Sequence, residues 1–152
     1  MLLAEALAQR ADLQSRLDAL RNRLRQNARV QEGDAPDEDP AALLAEYDAA
    51  CDALEALIRQ INHTNAVTPV EGYGTLTDAL AARDVLRLRR SGYDALLQGA
   101  TDRFDRFSRT EIKVETTVDV RALQQRVDAL AKAYRDLDLR IQQLNWTAEL
   151  RE

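Results

Sequence analysis

VDVRALQQRVDALAKAYRDLDLRIQQLNWTAELRE, residues 118–152, is the stretch whose reading decides the fold. Val120, Leu123, Val127, Leu130, Tyr134, Leu137, Ile141, Leu144 and Ala148 recur every third or fourth residue, and no Gly or Pro interrupts them. Such a ladder over about four heptads marks an amphipathic helix that packs along its whole length. Asp119 stands before it as an N-cap. A helix of roughly thirty residues at about 1.5 Å each is ~45 Å long. Its stripe needs partners of similar length.

The first partner is Met1 to Ala28, where Leu3, Ala6, Arg10, Leu13, Leu17, Leu20, Leu24 and Asn27 repeat with the same spacing. VQEGDAPDED (30–39) breaks the pattern with Gly, Pro and acidic residues, as a solvated loop does. Asp39-Pro40 then restarts a helix, with Asp as N-cap and Pro in the first turn. This second helix is expected to reach Asn65 with a seam of Leu44, Tyr47, Cys51, Leu54, Ile58, Ile61 and Asn65. Two helices of similar length joined by about ten residues form an antiparallel hairpin.

After the AVTPVEGYG loop (66–74), a third helix starts at Thr75 or Thr77 and runs to about Gln98, with Gly99 as its C-cap. Its stripe is Leu76, Ala79 or Leu80, Arg83, Leu86, Arg90, Tyr93 and Leu97. TEIKVETTV (110–118) then switches to period two and is rich in β-branched residues, which predicts a strand. A lone strand is unstable. Its partner would be residues 28–31, the Tyr73 region or the same segment of another subunit. The expected fold is mainly α: antiparallel hairpins (1–66 and 75–152) making a single four-helix, coiled-coil-like domain, with a short β element around 110–118. Long helices with few aromatic residues leave apolar stripe uncovered in a monomer, which predicts a homo-oligomer.

Composition narrows the function classes. The chain has 152 residues, 31% of them charged, and a net charge of −5. That balance argues against non-specific binding to DNA or anionic membranes. One cysteine, Cys51, allows no internal disulfide and no cysteine-based zinc site, and points to a reducing cytoplasm. MLLAEALAQRADLQ carries Glu5, Arg10 and Asp12 where a signal peptide would be apolar. No stretch approaches the roughly 18 apolar residues that span a bilayer. GxGxxG, P-loop, CxxC and HExxH motifs are absent.

Several segments resemble an uncharacterised bacterial family often labelled septicolysin. They are NARVQEG (27–33), DEDP (37–40), INHTN (61–65), LTDALAARD (76–84), SRTEIKVETTVDV (108–120) and NWTAEL (145–150). The label implies a pore-forming toxin, but the chain offers no signal peptide and no pair of amphipathic β-hairpins. The resemblance implies a family and no mechanism.

The hairpin topology brings Glu5, Asn62, Asn65, Asp78 and Asn145 to one end, with Arg83 and Asp84 one to two turns away. Carboxylates and amide oxygens are hard donors suited to Mg²⁺ or Mn²⁺. Glu5, Asp78 and Asp84 are therefore the candidate metal ligands. Asn62, Asn65, Arg83, Asn145 and Arg109 are the candidate ligand-binding residues, an arginine being suited to phosphate. The rival assignment makes the same residues helix caps and surface polars. Asn27, Gln31, Glu32, Arg109, Glu111 and Lys113 form a second polar group at the opposite end. His63, the single histidine, falls outside the seam, and Arg10 and Arg83 are charges on apolar stripes that require carboxylate partners. Trp146 is read as an anchor for the bundle end or an interface.

Two functions follow. One is an oligomeric helical scaffold without chemistry of its own. The alternative is an all-α, Mg²⁺- or Mn²⁺-dependent phosphohydrolase or nuclease acting on a nucleotide or nucleic acid. That enzyme would draw on Arg83, Arg89, Arg90, Arg103, Arg106 and Arg109 to hold its substrate.

Overall fold

The computed structural model describes residues 1–102 and 112–152. Four long helices dominate: α1 (Leu3–Gln26), α2 (Pro40–Val67), α3 (Leu76–Thr101) and α4 (Val120–Asn145). Two short strands, β1 (Pro69–Val70) and β2 (Gly74–Thr75), pair with one another between α2 and α3. The chain divides into two compact units, Met1–Pro69 with Gln142–Glu152, and Val70–Ile141. The last eleven residues, which end the second hairpin in sequence, belong to the first unit.

In the first unit, α1 and α2 form the expected hairpin. Leu20, Leu43 and Ala50 are the buried centre of its core, with Leu17, Leu24 and Tyr47 packed around them. The α1 stripe is the one its spacing predicts, with Leu3, Ala6, Leu20 and Asn27 buried and the positions between them half-buried. The α2 seam is not. Leu43, Ala50, Leu57, Ile61 and Thr64 are buried, whereas Leu44 is half exposed and Cys51 only partly covered. The buried face is turned by less than one residue step of about 100° from the sequence expectation, since Ile61 is buried as expected and Tyr47 still packs on the core. Adjacent apolar pairs at 43/44, 50/51 and 57/58 support either register.

Helix starts follow local chemistry. Asp39 Oδ1 accepts from Ala41 N at 3.0 Å, with Pro40 in the first turn. Asp119 Oδ1 accepts from Ala122 N at 3.0 Å. Thr75 and Asp78 close a capping box: Thr75 Oγ1 accepts from Asp78 N at 3.3 Å, and Asp78 Oδ2 accepts from Thr75 N at 2.8 Å. Gly74, at φ +100°, leads into that cap, and a Cβ there would stand 2.6 Å from Asp78 Oδ2. Gly99 does not end α3; the helix runs to Thr101 and Asp102 is its C-cap.

Two further expectations need correction. α4 stops at Asn145, and the following residues turn back toward the N-terminus as an extended tail. Leu3 N donates to Ala148 O at 2.9 Å and Leu150 N to Met1 O at 2.8 Å, around an antiparallel bridge of Leu2 with Glu149. Thr147 has left the helix, and its hydroxyl bonds back to Gln143 O at 3.1 Å. The β element lies at 69–75 rather than 110–118. Residues 112–118 form no regular structure, because none of the described residues supplies them with a ladder partner; residues 110 and 111 lie outside the described residues.

Candidate functional site

In the second unit, α3 and α4 are joined by polar side chains in antiparallel register. Arg83 meets Asp138, Arg87 meets Tyr134, and Tyr93 meets Arg126, so the numbers rise along one helix as they fall along the other. Arg83 Nη1 donates to Asp138 Oδ1 at 2.8 Å. Its side chain is 19% exposed, and its Nε has no hydrogen-bond partner among the described residues. The hydrogen-bonded carboxylate that a half-buried arginine requires is thus Asp138, with the neighbouring Asp84 a looser second partner, its Oδ1 3.9 Å from Arg83 Nε.

Arg87 Nη2 donates to Tyr134 Oη at 3.0 Å while its guanidinium lies 5.6 Å from the ring centre. That hydrogen bond, ahead of the attraction of Asp84 and Asp138, raises the arginine's pKa above its ordinary value. Arg126 repeats the arrangement on Tyr93, at 2.6 Å to the hydroxyl and 4.6 Å to the ring centre. Arg140 covers Tyr73 at 5.8 Å and donates to Glu71 O at 2.8 Å. Three tyrosines of this unit therefore each carry a guanidinium on the ring, a contact worth about 0.5–1 kcal/mol at exposed sites. Arginines committed in this way are less available to hold a phosphate. Beyond them, Leu97, Gln98, Thr101, Val120, Gln124 and Val127 are among the residues lining an open cleft of about 880 Å³.

The first unit has two polar clusters. At the α1–α2 loop, Arg23 forms a two-pronged ion pair with Glu38, with Nε to Oε2 at 3.0 Å. The buried Asn27 donates to Arg23 O at 2.9 Å and accepts from Glu38 N at 3.0 Å. The Arg23 hydrogen bond lowers the Glu38 pKa below the usual carboxylate range and raises that of Arg23. At the other end, fully buried Thr64 donates to Gln60 O at 2.8 Å and accepts from Arg151 N at 2.9 Å. This bond fastens the C-terminal tail to the end of α2.

The sequence-predicted site residues distribute as follows. The start of α1, the end of α2 and the C-terminal stretch do meet in the first unit, through the Leu2–Glu149 bridge and the Thr64–Arg151 bond. Glu5 is committed there to capping, accepting from Leu2 N at 2.7 Å. Asn62 is exposed, Asn65 half-buried and Asn145 buried. Asp78 belongs to the second unit and caps α3; bonds from the Thr75 backbone first, and its hydroxyl second, lower its pKa. Asp84 is exposed beside Arg83. Among the described residues, no three His, Cys, Asp or Glu side chains gather as a metal ion requires. Arg109 and Glu111 lie outside the described residues, as do Arg103 and Arg106. His63 is exposed on α2, where Ala56, Arg59, Gln60 and Glu152 share a shallow cleft with it. Trp146 is 63% exposed.

Sequence reasoning missed the Arg23–Glu38–Asn27 clamp and the arginine–tyrosine pairs. A signal for the latter exists. Arg83 and Arg87 are four apart on one helix, Tyr134 and Asp138 four apart on the other, so a single antiparallel register satisfies both pairs.

A family described as "Family of unknown function (DUF6847)" matches residues 10–150 of this chain. A crystal structure described as a functionally unknown conserved protein from Corynebacterium diphtheriae is similar at 46% sequence identity. It covers 99% of each chain with a TM-score of 0.92. No curated protein matches. The septicolysin label suggested by the short segments appears in neither description. Among the described residues, no helix is long and apolar enough to cross a membrane.

Proposed function

We propose, for a chain that belongs to the DUF6847 family of unknown function, the role of a helical scaffold that assembles with copies of itself. One observation carries this reading. α3 has a second apolar face besides the one that meets α4: Val85, Leu88, Gly92, Leu96 and Gly99 follow the three–four spacing of a packed helix. Leu88 on that face is 71% exposed, and Val85 and Leu96 are about half exposed. A stripe patterned for helix packing but left in solvent marks an interaction surface.

The metal-dependent alternative has less to support it. Two of its three carboxylates, Glu5 and Asp78, already accept backbone N–H groups at helix starts, and Asp84 stands exposed beside an arginine. The test is the mass in solution by light scattering over a concentration series. A dimer or larger assembly is expected. A monomer persisting to about 100 µM, far above the dissociation constants of standard-sized interfaces, overturns the reading. Added Mn²⁺ is expected to leave the melting temperature unchanged, and a rise abolished by Glu5→Ala or Asp78→Ala would restore the enzyme.

A further inference from the structure

The segment before α4 has the sequence of a strand and the surroundings of a loop. Ile112, Val114 and Thr116 alternate with Lys113 and Glu115, so one side of an extended chain here is apolar or β-branched and the other charged. Every residue from 112 to 117 is exposed, Ile112 at 79% and Val114 at 62%. None of them enters a strand ladder among the described residues. Nor is the segment remote from the helices. Residues 114–118 and the end of α3, at Ala95, Leu96, Gly99 and Ala100, together enclose a cleft of about 310 Å³. A β-patterned backbone beside a helix, with no ladder partner among the described residues, is a template for strand addition.

We propose that residues 112–116 pair antiparallel with the same residues of a second copy, across a two-fold axis at Val114. The inference rests on the self-assembly reading above and names the contact that closes it. Charge selects both the occupant and the register. With the axis at Val114, Lys113 of each copy faces Glu115 of the other, twice by symmetry. Ile112 then faces Thr116, and Val114 faces its own counterpart. Moving the axis to Lys113 sets lysine against lysine, and moving it to Glu115 sets glutamate against glutamate. Like charges directly opposite are destabilising. Shifting by half a step sets Lys113 against Val114 and mixes the two faces. Parallel pairing would run the lysines together and the glutamates together. Of the axes at Lys113, Val114 and Glu115, only the one at Val114 matches every cross-strand pair by type, and it does so within residues 112–116. Five residues make a marginal ladder alone. The half-exposed Leu96, close by on α3, lies where a second copy would add apolar contact.

The experiment is charge reversal in the whole chain, read as the dimer dissociation constant by analytical ultracentrifugation. Lys113→Glu alone and Glu115→Lys alone each turn two attractive pairs into two repulsive ones, and each is expected to weaken the dimer about tenfold. The double variant restores opposite charges and is expected to return to within about twofold of the parent. As a second readout, Val114→Cys in a Cys51→Ser background is expected to give a disulfide-linked dimer on mild oxidation, because residues opposite one another on the axis lie within disulfide reach. A dimer indifferent to both single reversals overturns the strand pairing and leaves self-assembly through the α3 face standing. A double variant as weak as the singles overturns the register. A parent chain that stays monomeric overturns self-assembly and this contact together.

Discussion

The register of α2 is the part of the core where structure and periodicity disagree, and one pair of neighbouring substitutions decides between them. Leu43 is 4% exposed and packs with Leu20 and Ala50, whereas Leu44 is 51% exposed. Truncating a buried leucine to alanine removes its transfer free energy and leaves a cavity, together about 3 kcal/mol. Leu44→Ala removes only about half of a leucine's burial, and alanine's better helix propensity offsets part of that. The net loss is under about 1 kcal/mol. With a urea m-value of about 2 kcal/mol/M for a chain of this size, the midpoint falls by about 1.5 M for Leu43→Ala. For Leu44→Ala the fall is less than about 0.5 M. Circular dichroism at 222 nm follows both transitions. A single protein concentration is used throughout, so that any linked dissociation contributes equally. Equal losses, or a larger loss for Leu44, would refute the burial assigned to α2 and return the seam to Leu44 and Cys51.

The Arg83–Asp138 pair predicts strong coupling. Asp138→Leu strands a guanidinium that is 19% exposed and is expected to cost about 2–3 kcal/mol, while Arg83→Met with Asp138→Leu is expected to cost less than about 1 kcal/mol. Additive losses in that double-mutant cycle would show that the two groups do not depend on each other. Acid stability follows from Glu38 and Asp78. Hydrogen bonds from Arg23 and from Thr75, respectively, depress their folded pKa values. Their contribution is therefore complete above the unfolded carboxylate pKa near 4, and disappears as pH falls through the lower folded values. Urea midpoints are expected to be flat from about pH 5 to 7 and to drop below about pH 4. The Glu38→Gln/Asp78→Asn double variant should drop less, and an acid limb as steep as the parent's would assign the effect to other carboxylates.

What was legible in the sequence depended on whether the deciding interaction was local. The α1 stripe was readable because each of its apolar positions lacks an equally apolar neighbour over most of the helix, so a single face is available. Caps were readable as well. Asp39-Pro40, Asp119 and Thr75-x-x-Asp78 act within one turn, and their hydrogen bonds lie where the spacing places them. The same locality undercuts the metal reading. A glutamate or aspartate at the third helical position is a cap as readily as a ligand, and both Glu5 and Asp78 occupy that position.

Where the deciding partner is remote, pattern alone could not choose. Nothing in NWTAELRE says that Ala148–Leu150 will pair with Met1–Leu3, or that Thr64 will receive Arg151 N from 87 positions away. The buried hydroxyl of Thr64 does explain the end of the long ladder. α4 needs no continuation past Asn145 when backbone groups of the next residues find partners on α1 and α2, and a tail paired on both sides is more fully satisfied than a last helical turn with free carbonyls. Residues 112–116 pose the same problem without a described partner. Their alternation is as regular as any in the chain, yet a strand is stabilised by its neighbour rather than by itself. A correct local pattern with no ladder inside the chain therefore directs attention to a second molecule. The antisymmetric placement of Lys113 and Glu115 about Val114 is what makes a copy of this same chain the matching one.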